Sequence, residues 1–215
     1  MNRRHLLRLI AAAGLAPAFI RQALANGSKP VQPGLRKVTG TVLINGQAAA
    51  EGSLVKPGDV ISTGAGSQAI YVIGQDAFLQ RASTEVHFPM NGSAFFRLVS
   101  GRLLSVFGRG DKQLLTPTAT IGIRGTACYL ETDNTKSYFC LCYGAADLVP
   151  LAAPQERTTI RTQHHDHPIY IHADPHMPTS MVPAEVINHT DAELELLEGL
   201  VGRVPPFVGR NDRRY

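Results

Sequence analysis

The chain has 215 residues, with 21 Lys and Arg against 17 Asp and Glu, and a net charge of +4 that invites a nucleic-acid interpretation. The first 25 positions hold no acidic residue and four of the basic ones, Arg3, Arg4, Arg8 and Arg21. Without that segment the basic and acidic residues number 17 each, so the composition excludes a nucleic-acid partner for the rest of the chain.

Residues 1–25 have the order of an export signal. A basic stretch is followed by the uncharged run Leu9–Ile20, and Ala23-Leu24-Ala25 is a small-residue cleavage site. The paired arginines resemble a twin-arginine signal, although Asn2 precedes them, and Arg21 disfavours the Sec route. We therefore expect cleavage after Ala25 and a mature chain, without a membrane-spanning segment, in the periplasm or secreted. The alternative is an uncleaved amphipathic helix.

Residues 26–37 are polar and contain Pro and Gly, which predicts a linker. Residues 38–150 contain short apolar runs broken by turn residues every 8–12 positions or so, a spacing typical of an all-β sandwich, barrel or roll. The runs predict strands at Val38–Ile44, Val60–Ile61, Ala69–Ile73, Phe96–Val99, Leu103–Phe107 and Tyr138–Tyr143.

The last third of the chain is less regular. Residues 151–189 are rich in His and Pro and contain one clear strand pattern, Ile169–Ile171. The sequence Thr190-Asp191-Ala192-Glu193 is a capping box, which predicts a helix over residues 190–202 followed by a tail over 203–215. The predicted fold is mainly β, a single β-sandwich or β-roll domain with a His-rich extension and one short C-terminal helix.

Four stretches in order resemble a FecR-type domain. The first two are Glu51–Gly64 and Ser67–Val72. The third is Arg97–Leu103, similar to the central G-x-L strand of the family, and the fourth is Thr116–Thr126, similar to its T-P-x-A-x-x-x-x-R-G-T signature. The resemblance covers residues 38–150. FecR-type domains are periplasmic β-modules, named for a transmembrane regulator that carries an iron-siderophore signal to a sigma factor.

The resemblance implies that the signature residues are fold determinants, with a ligand contact as the alternative. Gly58-Asp59 predicts a tight turn whose carboxylate binds backbone amides, and Gly125-Thr126 predicts a bulge or a close backbone approach. Arg124 could pair with a buried acceptor. The remaining signature positions are Thr63, Gly64, Gly101, Thr116 and Pro117.

The sequence departs from the regulator that gives the family its name. We find neither an N-terminal anti-sigma segment nor a membrane-spanning helix in this sequence. The transmembrane signalling mechanism therefore does not carry over, whereas the β-module and its compartment do.

Three cysteines would lie in an oxidising compartment, where disulfides persist. Cys140 and Cys142 are two residues apart in a predicted strand, so both sulfurs lie on one face. A hairpin turn centred on Asn134 would place Cys128 opposite Cys140 and gather three sulfurs. The alternatives are a Cys128–Cys140 disulfide and inert core thiols.

Six of the eight histidines lie between positions 164 and 189. Imidazole and thiolate are ligands of Zn, Cu and Fe sites, although no standard template fits the spacing here. A metal site would use Cys128, Cys140, Cys142, His164, His165 and His167. Twin-arginine export favours this hypothesis, because that route carries folded proteins that can already hold a cofactor.

No catalytic motif is present in the sequence: it has no nucleophile elbow, P-loop or dinucleotide fingerprint. We expect an exported, non-catalytic FecR-like domain that acts as a binding, sensing or scaffold module, with an envelope protein or a small ligand as its unidentified partner. The alternative is a periplasmic metal-binding protein, and a hydrolase or redox enzyme is the weakest hypothesis.

Overall fold

The computed structural model describes residues 30–92 and 94–209, and the export signal predicted for residues 1–25 lies outside this part. The described chain is mainly β, as predicted. Its strands are β1 Gly34–Thr39, β2 Val42–Ile44, β3 Gln47–Ala48, β4 Val60–Thr63, β5 Gln68–Ile73, β6 Asp76–Gln80, β7 Thr84–His87, β8 Ala94–Val106, β9 Asp111–Leu115, β10 Ala119–Thr132, β11 Lys136–Pro150, β12 Thr158–Thr162, β13 Ile169–His172 and β14 Met181–Pro183, and its α-helix is α1, Asp191–Leu200.

The strands form one continuous sheet that bends because its long strands change partners along their length. The first half of β8 pairs with β7 and β9, and its second half pairs with β6 and β10. β10 likewise pairs with β9 and then with β8, while β11 lies beside it throughout. The change of partner in β10 coincides with a register shift between Arg124 and Ala127, where Gly125 has a φ of +53°. The bulge expected at Gly125-Thr126 is therefore confirmed.

The central strands are buried on both faces. Alternate residues of β5, β6, β8, β10 and β11 enter two separate clusters, which we call the first core and the second core. The first core lies on the inner face of the bent sheet and contains Tyr71, Phe78 and Leu130. The second core lies on the opposite face and includes residues of α1 and the buried Phe207. The C-terminal helix is thus part of the domain's packing.

Helix α1 begins as the capping box predicts. Thr190 is the N-cap, its Oγ1 accepts from the Glu193 main-chain nitrogen at 3.3 Å, and Glu193 Oε2 accepts from the Thr190 nitrogen at 3.0 Å. Glu193 also pairs at 2.9 Å with Arg81, the residue that follows β6, and both groups are largely buried. The capping residue therefore also fastens the helix to the sheet.

The segment prediction differs from the structure in several places. The run Val38–Ile44 is divided between β1 and β2, and the runs Phe96–Val99 and Leu103–Phe107 fall in the single strand β8, which ends at Val106. The expected linker 26–37 already enters strand β1 at Gly34, and strands β12 and β14 lie in the extension where one strand was predicted. β1 pairs with β5, β12 with β11 and β14 with β13. The hydrophobic patterns of β1, β12 and β14 are weak, and each of these strands forms by hydrogen bonding to the edge of its neighbour.

The signature residues mostly make local structural contacts. Asp59 Oδ2 accepts from the Lys56 nitrogen at 2.7 Å, as expected for this turn, and Thr116 Oγ1 accepts from the Ala119 nitrogen at 3.0 Å. Gly101 has a φ of +90°, and a Cβ there would lie 2.5 Å from the Thr84 Cα. The prediction that Arg124 pairs with a buried acceptor is wrong. The Arg124 side chain is 66% exposed and pairs with the exposed carboxylates of Asp111 and Asp147.

Among residues 30–92 and 94–209, no helix has the length and apolar character needed to cross a bilayer.

Candidate metal centre

Strand β11 carries two cysteines on its second-core face. Cys140 and Cys142 are both fully buried, and the residue between them, Leu141, enters the first core. The alternation of a strand therefore places both sulfurs on one face, as predicted.

The expected pairing of Cys128 with Cys140 is wrong by one residue. The hairpin between β10 and β11 closes with Thr132 opposite Ser137, so Cys128 lies opposite Leu141 and enters the first core. Four residues, 133–136, separate this last β10–β11 pair, and Asp133 stabilises the turn by accepting from two main-chain nitrogens, those of Thr135 at 2.6 Å and Lys136 at 2.9 Å. All three cysteines are free. Cys128 therefore lies across the sheet from the other two sulfurs.

Two histidines approach the same sulfurs from different segments. His165 lies in the loop between β12 and β13, and its main-chain nitrogen donates to the Cys142 carbonyl oxygen at 3.0 Å. Its φ of +55° is an uncommon conformation for a residue other than glycine. His189 immediately precedes the N-cap of α1, and its ring stacks on Tyr129 at 4.6 Å between centroids. The loop and the helix start thus bring two imidazoles to one strand.

The four side chains offer a compact set of ligand atoms. Cys140 Sγ lies 3.4 Å from His165 Nδ1, which in turn lies 3.1 Å from His189 Nε2. One ligand atom from each of these three residues and from Cys142 lies within 4.8 Å of all the others. The residues are 0%, 1%, 5% and 0% exposed, in the order Cys140, His165, His189 and Cys142. We call these four residues the Cys/His cluster.

In His165 and His189, the outer ring nitrogen, the one that points away from the cluster, faces a hydrogen-bond acceptor. His165 Nε2 lies 3.3 Å from Asp191 Oδ1, and His189 Nδ1 lies 2.7 Å from the Ile187 carbonyl oxygen. Asp191 Oδ1 also receives His164 Nε2 at 2.8 Å. A histidine that binds a metal usually donates its other ring N–H to a carboxylate or a carbonyl in this way.

The electrostatics of the cluster favour a thiolate beside a charged imidazole. The contacts of Cys140 with Cys142, His165 and His189 lower the pKa of the Cys140 thiol to about 3 against the effect of burial. Burial lowers the pKa of His165, but Asp191 and Cys140 outweigh it and raise that pKa to about 9. Burial and the neighbouring Cys140 raise the pKa of Cys142 well above its usual value. Cys142 therefore becomes a second thiolate only if a cation replaces its proton.

The structure gathers only part of the predicted ligand set. Cys140, Cys142 and His165 come together, and His164 adjoins them through Asp191. Cys128 lies on the other face of the sheet, and His167 is exposed and lies outside the Cys/His cluster. The sequence analysis did not identify His189 as a member of the cluster, nor Asp191 as the partner of the His165 ring. The capping box placed both at the start of the helix, but nothing in the sequence showed where that helix would dock.

Asp191 holds the ring of His165, so its replacement is expected to weaken metal binding without removing a ligand. We expect Asp191→Asn to reduce the affinity for zinc by about 10- to 100-fold. A competition titration against a chromophoric chelator measures this change. Glu185→Gln is the matched control, since it removes an exposed negative charge outside the cluster and should leave the affinity unchanged. Equal affinities of the two variants would contradict the positioning role of Asp191.

Comparisons with known proteins give little beyond these observations. No family model matches the chain, and no curated protein matches its sequence. Two crystal structures of a proposed anti-sigma factor from Parabacteroides distasonis ATCC 8503 are similar to it, each with 10% identity and a TM-score of 0.46. Each match covers 58% of this chain and 58% of the solved chain, so the chain spans little more than half of their length. A similarity of this size is too low to assign a function.

Proposed function

We propose that the protein is an exported, non-catalytic module of the FecR-like kind that binds a transition metal through its Cys/His cluster. It would act in the cell envelope as a binding or sensing module, with an envelope protein or a small ligand as its partner. The basic leader and its cleavage site support export, and the signature motifs support the kind of domain. The buried cluster supports the metal.

One observation carries the proposal. The outer nitrogens of His165 and His189 both face acceptors, so each must carry the ring proton. The inner nitrogens then turn their lone pairs toward each other at 3.1 Å. Two lone pairs at this distance repel each other unless a cation lies between them or near them. That cation is either an additional proton on His165 or a metal ion.

The distances and ligand types fit zinc. A tetrahedral zinc ion has Zn–N bonds of about 2.0–2.1 Å and Zn–S bonds of about 2.3 Å, which gives ligand separations of about 3.3 Å for N–N and about 3.5 Å for S–N. The cluster has 3.1 Å and 3.4 Å for the corresponding pairs. Two sulfur and two nitrogen ligands are a set typical of structural zinc sites. Among Zn, Cu and Fe we therefore propose zinc.

The same contacts also resemble a cysteine–histidine–aspartate triad, because Cys140, His165 and Asp191 follow one another at hydrogen-bond distance. A nucleophile must reach its substrate, whereas the Cys140 side chain is fully buried. The second cysteine and second histidine also have no part in such a triad, while a metal site uses both. Burial and the four-membered set favour metal binding over catalysis.

Elemental analysis of protein recovered from the periplasm tests the proposal. We expect about one zinc ion per chain in the natural protein and none in the double variant Cys140→Ser/Cys142→Ser, because a closed site loses both sulfur ligands. Cys128→Ala is the matched control, since Cys128 lies in the first core, and should keep its zinc. Natural protein that contains no metal and takes up no added zinc would refute the proposal.

A further inference from the structure

The Cys/His cluster has no direct route to solvent. Its two sulfurs are fully buried, and its two imidazoles are 5% exposed or less. It lies between the second-core face of the sheet and residues 187–209, which we call the covering segment. A metal ion held there could therefore leave only after part of the protein has moved.

The sheet side of the cluster resists such movement. β11 is hydrogen-bonded to β10 along one edge. Along the other edge it pairs with β13 over Lys136–Phe139 and with β12 over Gly144–Leu148, and between these stretches the His165 nitrogen donates to the Cys142 carbonyl oxygen at 3.0 Å. Opening the site from this side would break a central ladder, which is among the last parts of a fold to open.

The covering segment is attached differently. Its main-chain bonds to the rest of the chain include one from the Val31 nitrogen to Leu200 at 2.9 Å and one from Arg81 Nη2 to the Asn188 carbonyl at 2.6 Å. The remaining attachment is by side chains: Leu194, Leu197 and Phe207 are buried in the second core, and Glu193 pairs with Arg81 at 2.9 Å. A helix held by side-chain packing can undock without disrupting a sheet.

We infer, on the basis of the proposed metal site, that undocking of the covering segment gates metal exchange. The covering segment carries His189 and Asp191, so undocking removes one ligand and the carboxylate that orients His165. Cys140, Cys142 and His165 remain on the sheet side with one open position on the metal. A competing ligand enters at that position, and the metal then transfers to it.

The rate of zinc release tests the inference. Zinc-loaded full-length protein is mixed with increasing concentrations of a chromophoric chelator, and the release rate is expected to reach a plateau set by undocking. Leu197→Ala, in the second core, should raise that plateau rate by about tenfold or more because it weakens the packing of the covering segment. Leu98→Ala, equally buried in the first core, should stay within about twofold of the natural protein.

A milder pair keeps the test decisive if either leucine variant fails to fold. Val201→Ala in the second core and Val86→Ala in the first core remove the same atoms from opposite faces of the sheet. Only Val201→Ala should accelerate zinc release.

Three outcomes would overturn the inference. Equal acceleration in both members of a pair would show release through global unfolding, and a rate that rises with chelator without a plateau would show direct attack on the closed site. Unchanged rates in both second-core variants would place the exit elsewhere. These outcomes leave the zinc site itself intact, whereas a chain that binds no zinc overturns the proposed function and this inference together.

Discussion

Removal of zinc is expected to lower the free energy of unfolding by about 4 kcal/mol, relative to protein kept in free zinc at roughly 1,000 times its dissociation constant. The four proposed ligands come from strand β11, the loop before β13 and the residue before the N-cap of α1, so the unfolded chain does not gather them. The binding free energy is then available only to the folded state. Urea unfolding before and after chelation, followed by restoration with zinc, measures the difference.

The double variant Cys140→Ser/Cys142→Ser is the control for this experiment. Its unfolding should respond neither to the chelator nor to added zinc, because both sulfur ligands are missing. If the chelator destabilises the variant and the natural protein equally, it acts on something other than the Cys/His cluster. If it changes neither, the metal does not stabilise the fold.

The second large effect is expected from the first core, on the side of the sheet away from the Cys/His cluster. Phe78 is fully buried and lies within 5.0–6.3 Å, between ring centroids, of five aromatic rings, those of Tyr71, Phe88, Phe95, Phe96 and Phe107. Phe78→Ala should therefore cost about 3–5 kcal/mol of the free energy of unfolding, through lost burial and the cavity that remains. Urea unfolding at constant free zinc measures this loss.

The zinc content of the Phe78→Ala variant tests whether damage to the first core leaves the Cys/His cluster intact. Phe78→Ala should keep one zinc ion per chain while it is folded, because its ring lies in the first core and the cluster in the second. Val204→Ala, at a side chain that is 71% exposed, should change the stability by less than about 0.5 kcal/mol. A loss from Phe78→Ala no larger than that of Val204→Ala would contradict the packing described for the first core.

Features that depend on neighbouring residues were predictable from the sequence. The Asp59 carboxylate closes its turn by accepting from an amide three residues away. The cap at Thr190 forms because Thr190 and Glu193, also three residues apart, exchange hydrogen bonds. The bulge at Gly125 follows from the one residue type that adopts its backbone angle at little cost. Each of these features depends on hydrogen bonds or backbone sterics among residues that are close in the sequence.

The register of the β10–β11 hairpin was less accessible. A loop of three residues and a loop of four suit the same stretch, and the choice moves Cys128 from one face of the sheet to the other. The contacts of the Asp133 side chain with Thr135 and Lys136 accompany the longer loop. One residue of register thus decided whether the three sulfurs meet.

The sequence by itself determined the β class, the capped helix and the residue types able to bind a metal, because alternation, turns and caps are encoded within a few positions. Only the tertiary structure decided that His189 and Asp191 join Cys140, Cys142 and His165, and that Cys128 and His167 do not. The physical reason is that the docking of α1 depends on the apolar face of a sheet built from distant strands. The excess basic charge lies in residues 1–25, while the residue types able to bind a metal meet in a buried cluster of the described domain.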